Sequence, residues 1–165
     1  QASSIFSVYG AGSTHSNNTV YQFGFTSGDK LQCGLSTFYV VQTNRLFRDT
    51  SAWYHIVVAV DTTQSTVSDR WKLYVNGVQE TSFSHEQISS ISQNQDLGVN
   101  FTEPHRIGLL LSNSWYFSGY LAEINHVSKS TSSVELLIKI FSIKEKTLKV
   151  RGKVNTLITN FKNKK

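Results

Sequence analysis

The 165 residues predict an all-β chain folded as an antiparallel sandwich or jelly roll. Three observations carry that prediction. Up to about Val127 the chain is a series of short β-prone runs broken by Gly, Asn, Asp and Ser. Asn76-Gly77 stands between two such runs, 71–75 and 78–83, and a type I′ hairpin turn needs the positive φ this dipeptide accepts. Finally, no stretch before Val127 has the spacing of an amphipathic helix, and the chain holds a single Pro.

The elements follow in order. Residues 5–9 are apolar and β-prone, and 11–18 form a Gly/Ser/Asn loop. In 20–25, Tyr21, Phe23 and Phe25 share one face, with Val20, Gln22 and Gly24 on the other. Ser27-Gly28-Asp29 reads as a hairpin turn leading into a strand over 31–41. Residues 53–60 are apolar at both parities, as a central strand covered on both faces would be. After the Asn76-Gly77 hairpin, 85–101 is polar, irregular and long, a length at which loops are often functional. Strands over 106–111 and 119–124 close the series. The expected core includes Trp53, Val57, Trp71, Leu73, Val75, Ile107, Leu121 and Ile124. Cys33 is alone, so no disulfide within the chain is expected, and a small buried hydrophobe is its plainest role.

Three stretches carry a family resemblance: Trp53-Tyr54-His55-Ile56-Val57-Val58-Ala59-Val60-Asp61, Trp71-Lys72-Leu73-Tyr74-Val75-Asn76-Gly77 and Phe117-Ser118-Gly119-Tyr120-Leu121-Ala122-Glu123-Ile124. Together they resemble the laminin-G-like branch of the concanavalin A-like lectin/glucanase superfamily. The wording Phe47-Arg48-Asp49-Thr50-Ser51-Ala52-Trp53-Tyr54-His55, with Asp61-Thr62-Thr63-Gln64 and Ser68-Asp69-Arg70, is similar to modules in structural proteins of tailed bacteriophages. The resemblance runs from Ile5 to Val127. It implies a concanavalin A-like jelly roll and a module of a kind that binds glycans or proteins more often than it catalyses. It also implies a further core strand before Ile5. The sequence has no Met, so the chain reads as a fragment, N-terminally incomplete.

Two segments are therefore expected: a sandwich over 1–127 and a basic tail over 128–165. Residues 1–128 hold six Lys and Arg against nine Asp and Glu, whereas 129–165 hold ten against two. The high pI belongs to the tail, and the tail lacks the interleaved aromatics of a single-strand binder, so no nucleic-acid partner is expected. No apolar run approaches the roughly 20 residues of a membrane helix, and no membrane insertion is expected. Within the tail, Val134, Leu137, Ile138, Phe141 and Leu148 fit a helical stripe, while Val134, Leu136, Ile138 and Ile140 fit a strand. The expectation leans to a helix over 133–148 that packs poorly on the sandwich. A frameshift or recombination would account for the tail's Lys/Ile/Asn/Leu/Ser bias.

Candidate chemistry is sparse. Glycoside hydrolysis needs two carboxylates at a set separation, and Glu123-Ile124-Asn125-His126-Val127 supplies one. His55 sits in the Trp-x-His motif, where a structural histidine is the simpler reading, and His15, His85, His105 and His126 have no zinc-site spacing. Asn94, Asp96, Asn100 and Glu103 cluster in the long loop and offer hard oxygen ligands of the kind Ca²⁺ takes. Asn113, Trp115 and Tyr116 are the candidate glycan contacts, since sugar C–H faces stack on aromatic rings while amides bond hydroxyls. The alternative puts Trp115 and Phe117 in the core with Tyr116 outside.

The function expected is a non-catalytic carbohydrate-recognition or adhesion module of a virion tail or head fibre, located on the virion or otherwise extracellular. It requires no cofactor, with Ca²⁺ as the candidate ion. Its partners would be a cell-surface or extracellular glycan and other virion proteins, in an oligomeric parent. A purely structural virion domain is the second reading and a glucanase-like hydrolase the third.

Overall fold

The computed structural model of the chain describes residues 2–8, 21–35, 38–49, 51–100, 103–109, 115–130 and 133–141. The strands are β1 (Ser3–Val8), β2 (Tyr21–Phe25), β3 (Lys30–Leu35), β4 (Phe38–Leu46), β5 (Trp53–Asp61), β6 (Trp71–Val75), β7 (Val78–Glu80), β8 (Phe83–Glu86), β9 (His105–Ile107), β10 (Tyr120–Ser130) and β11 (Ser133–Phe141). They form a six-stranded sheet in the order β8-β4-β3-β2-β1-β9 and a five-stranded sheet in the order β10-β11-β5-β6-β7. Every strand pairing is antiparallel. The only helical pieces among the described residues are short 3₁₀ turns at Val67–Asp69, Ile88–Ser90 and Gly98–Asn100.

Local chemistry sets the turns. At the β6–β7 hairpin Val75 pairs with Val78, leaving Asn76 (φ 53) and Gly77 (φ 80) as a two-residue loop of the type I′ kind. Between β2 and β3, Asp29 takes φ 61, and the Thr26 hydroxyl accepts hydrogen bonds from the Gly28 and Lys30 amides at 3.2 and 3.1 Å. Gly24 permits the close pairing of β1 and β2. A Cβ there would collide with the Ser3 carbonyl oxygen and come within 2.9 Å of the Ser4 Cα. Where β3 bulges against β4, the Leu31 amide donates to the buried Thr43 hydroxyl at 3.1 Å, which donates on to the Arg45 carbonyl at 2.9 Å.

The core lies between the sheets. Ile5, Phe6, Val8, Phe23, Phe25, Leu31, Cys33, Val40, Val41 and Phe47 meet Ile56, Val58, Val60, Trp71, Leu73 and Val75 there. The Phe47 ring, nearly fully buried, has its centroid 5.4 Å from that of Phe25 and 5.0 Å from that of Tyr54. Cys33 is fully buried, and burial pushes its thiol far above the ordinary range, so it is inert packing. Ile88, Ile91, Leu97 and Val99 add to the core from the long loop, which explains the loop's length: it covers apolar surface as well as connecting strands. Arg70 fixes its base, donating to the carbonyls of Gln64, Ile91 and Ser65 at 2.9, 2.7 and 3.2 Å.

The sequence-derived core needs correction at three positions. Trp71, Leu73 and Val75 are buried, and Leu121 and Ile124 pack against the core from β10. Trp53, however, is 51% exposed and Ile107 54% exposed. Ile107 lies on β9, an edge strand with one neighbour. Trp53 and the half-buried Val57, also expected in the core, belong to the face of β5 that points away from the other sheet. The strand's inward positions are Tyr54, Ile56, Val58 and Val60, and the outward set stays partly open to solvent. The strand is therefore not covered on both faces, as the apolar run suggested.

The expected helix over 133–148 is also corrected. Ser133–Phe141 is a strand, paired over its whole length with β5, from Ser133↔Asp61 to Phe141↔Trp53, and with β10 on its other side. Register gives the reason. Val134, Leu136 and Ile138 stand opposite the buried Val60, Val58 and Ile56, so the period of two is matched to an apolar row already present on β5. A helix would leave the β5 edge without a partner. This part of the tail is an interior strand of the sheet, hydrogen-bonded on both sides. Residues 142–165 lie outside the described residues.

Candidate ligand-binding face

The outward face of the five-stranded sheet is built from the positions of β5 and β10 that the core does not use. Trp53 shares its parity with His55, Val57, Ala59 and Asp61. Across the sheet, Trp53 is opposite Phe141, and Phe141 is opposite Tyr120. Trp53 and Tyr120 are thus in one row, two strands apart, 51% and 46% exposed. Neighbouring strands are spaced about 4.8 Å, which sets the two strands about 9.6 Å apart. A bulge between Leu121 and Glu123 lets both Tyr120 and Glu123 face outward while Leu121 and Ile124 turn to the core.

The next row holds polar groups. His55 is opposite Lys139, which is opposite Glu123. The Asn125 side-chain amide donates to Glu123 Oε1 at 2.6 Å. His55 is half-buried, and Asn76 holds its backbone from the hairpin beside it. Beyond these lie Val57 and Tyr74, paired and both half-buried, then Lys72, whose ammonium contacts Asp69 at 3.0 Å. That hydrogen bond, with the Asp69 charge, raises the Lys72 pKa above its ordinary value. The face is an aromatic row beside a strip of amide, carboxylate and imidazole groups.

The residues singled out from sequence fall elsewhere. Asn113 lies outside the described residues. Trp115 is half-buried in a left-handed conformation (φ 61), and its carbonyl accepts the Ser4 amide at 2.8 Å. Tyr116 is 56% exposed and bridges to Ser4 beside β1 of the six-stranded sheet. Phe117 packs against the core, its amide donating to the Gly108 carbonyl at 3.0 Å.

In the long loop, Asn94 (φ 59) donates its amide to the Thr62 carbonyl at 2.8 Å, and both Asn94 and Asp96 are exposed. The Glu103 carbonyl is 2.9 Å from His105 Nδ1, and the side chain of Asn100 lies outside the described residues. Among the described residues, no group of three or more His, Cys, Asp and Glu is placed to hold a metal ion.

Two histidines that look scattered in sequence meet across the sheets. His105 on β9 and His126 on β10 have ring centroids 6.3 Å apart. His105 Nε2 is 2.8 Å from the Val99 carbonyl, whereas His126 Nε2 is buried with no hydrogen-bond partner among the described residues. Burial, and secondarily the charge of His105, hold the His126 pKa below its usual value. Between the sheets on the opposite side, Arg45 Nε contacts the buried Glu80 carboxylate at 2.7 Å.

Sequence reading missed Trp53 as a surface residue, yet a signal was present. His55 and Asp61 share its parity, while Tyr54, Ile56, Val58 and Val60 carry no charge, so the polar members mark the outward side. Comparison with known proteins agrees with the architecture. A laminin G family model described as the concanavalin A-like lectin/glucanases superfamily matches residues 1–136, extending past Val127 into β11. No curated protein and no solved structure matches the chain. With a matching family model over most of its length and two antiparallel sheets enclosing one core, the chain belongs to the laminin-G-like branch of the concanavalin A-like lectin/glucanase superfamily.

Proposed function

We propose that the chain is a non-catalytic carbohydrate-recognition module that acts in adhesion, outside the cell. The observation that carries this reading is the exposed pair Trp53 and Tyr120 on the outward face of the five-stranded sheet. The Trp53 indole stands 51% exposed at the start of its strand. Its broad face and polar N–H suit the C–H face and hydroxyls of a sugar. Asn125, Glu123 and His55 provide donors and acceptors alongside. The Asn125 amide donates to Glu123 Oε1 at 2.6 Å, a fixed amide–carboxylate pair of the kind that recognises hydroxyls. A virion tail or head fibre is the parent this reading favours, on the wording around Phe47 to His55. There, weak sites gain strength by repetition on the particle.

Glycan-array binding with the intact chain and its Trp53→Ala variant tests the proposal. Retained glycans in the wild type that disappear in the variant support it. A chain that binds no glycan overturns it in favour of a structural role, and release of reducing ends from a polysaccharide overturns the non-catalytic part.

A further inference from the structure

We infer a second site, apart from the sheet face and independent of the carbohydrate reading: a cleft at the rim of the sandwich that takes a primary ammonium on an apolar stem, as a lysine side chain of a protein partner presents. The register of the six-stranded sheet leads there. Phe6, Phe23, Cys33 and Val41 stand opposite one another across β1 to β4, and all four are buried in the core. The next position in that row, on β8, is Glu86. Directly paired residues share a sheet face, so a carboxylate ends a row of core side chains. It is exposed because β8 closes the sheet on that side among the described strands.

Glu86 lines a cleft of about 470 Å³ with Thr66, Val67 and Ser68 from the β5–β6 connection and Ile88 and Ser89 from the long loop. That volume lies within the roughly 300–1,000 Å³ of ligand sites. One wall thus belongs to the five-stranded sheet and the other to the edge of the six-stranded one. Both walls are held by hydrogen bonds. Arg70 ties the Gln64 and Ser65 carbonyls to that of Ile91, and the Gln87 amide donates to the Val40 carbonyl at 2.8 Å. The cleft is therefore formed before any ligand arrives, which lowers the cost of binding.

Its chemistry selects the ligand. Among the described residues no cation pairs with Glu86: Arg45 is held by Glu80, Arg48 by Asp29 and Lys72 by Asp69, while Arg70 is spent on carbonyls. An ammonium has three donors and no acceptor, and the cleft offers it a carboxylate and the hydroxyl oxygens of Thr66, Ser68 and Ser89. Val67, 38% exposed, and the buried Ile88 supply apolar surface for a methylene stem. None of the described residues lining the cleft is aromatic, so it lacks the ring on which a sugar would stack.

The test is an NMR titration of the intact chain, read at its backbone amides, with Nα-acetyl-lysine methylamide as the probe. The norleucine counterpart keeps the stem without the charge, and the Nε-acetylated counterpart hides the charge. Saturable shifts are expected at Thr66 to Ser68 and Glu86 to Ser89 with the lysine probe, and about tenfold or more weaker binding of the two neutral ones, the effect of one charge-assisted hydrogen bond. Glu86→Gln should weaken the lysine probe to a similar degree, and because Glu86 is exposed, an unchanged spectrum away from the cleft shows that the variant is folded. Absence of saturable shifts at these residues, equal binding of the neutral probes, or full affinity in Glu86→Gln would each overturn the inference and leave Glu86 as a charge that guards the sheet edge. Tighter binding of glucosamine than of the lysine probe would overturn it too, by giving the cleft to a sugar. In every one of these cases the reading of the Trp53 face stands on its own glycan-array result.

Discussion

Asn76 and His55 exchange two hydrogen bonds that extend the β5–β6 ladder into the turn. The Asn76 amide donates to the His55 carbonyl at 2.7 Å, and the His55 amide donates to Asn76 Oδ1 at 2.8 Å. The side chain thus stands in for the backbone carbonyl that the next residue of a longer strand would supply. This gives the Asn-Gly dipeptide a second role besides its positive φ, since the same residue that closes the hairpin anchors the strand that carries Trp53.

Asn76→Ala should therefore cost more than a turn substitution alone. It places a Cβ-bearing residue without local hydrogen bonding at φ 53 and leaves the His55 amide without its acceptor. A loss of about 2–3 kcal/mol is expected, adding a left-handed penalty to a lost hydrogen bond. Asn76→Asp keeps the oxygen and should lose much less. Urea denaturation midpoints of the two variants decide it; equal losses would show that the side-chain oxygen contributes nothing.

Gly24→Ala tests the closest approach in the six-stranded sheet. The colliding atoms belong to the backbone of β1, at Ser3 and Ser4, and cannot swing aside as a side-chain tip would. The two strands must separate or shift register, so a loss of about 3 kcal/mol or failure to fold is expected. Gly28→Ala serves as the control, because its added Cβ meets only the Thr26 hydroxyl at 3.7 Å. Comparable melting temperatures for the two variants would contradict the assigned β1–β2 register.

Much of the fold was legible because its signals are local. The period of two in β2, with Phe23 and Phe25 inward, and the Asn76-Gly77 turn each depend on a few adjacent residues. What escaped depends on partners far along the chain. Val134 to Ile140 fits two periods, and only the apolar row of β5 selects the strand. Tyr120 and Glu123 share a face through a bulge, and nothing in the intervening Leu121-Ala122 announces one. Trp115 and Tyr116 were conspicuous as an aromatic pair, yet their place is set by a bond to Ser4 more than a hundred residues earlier. The candidate face was half legible: parity on β5 marks Trp53 as outward, whereas its alignment with Tyr120 requires β11 between them.

Stability should fall with acid from about neutrality because of His126. Its pKa in the folded chain is below the ordinary 6.5, owing first to burial and then to the charge of His105. The unfolded chain then binds more protons, and stability rises with pH between the two pKa values. Read downward, the contribution of neutral His126 is complete above 6.5 and is lost as pH falls through the lower, folded value. Urea midpoints at pH 7 and pH 5 should differ less in His126→Gln than in the wild type. An equal difference in both would show that His126 is not the titrating group in that window.

The placement of β11 reverses what its composition suggests and yields the sharpest test of the architecture. A basic segment beyond the strongest family motifs reads as dispensable, and its removal would then leave the melting temperature unchanged. In the structure, removing residues 131–165 takes away, among the described strands, the only partner of β10 and one of the two partners of β5. Ile56, Val58 and Val60 would lose the strand opposite them, and Leu121 and Ile124 would lose the ladder that holds their strand against the core. An interior strand of nine residues contributes a large share of a domain's usual net stability of about 5–15 kcal/mol, so the truncated chain should not fold. Far-ultraviolet circular dichroism and amide dispersion in NMR spectra read this directly. Substituting Ile138→Lys in the intact chain gives an independent check. Its register partner Ile56 is fully buried, and a charge at that position should destabilise strongly, whereas the neutral Lys139→Gln, opposite the half-buried His55, should be tolerated. A truncated chain that retains a cooperative unfolding transition, or an Ile138→Lys variant as stable as the wild type, would place β11 outside the sheet.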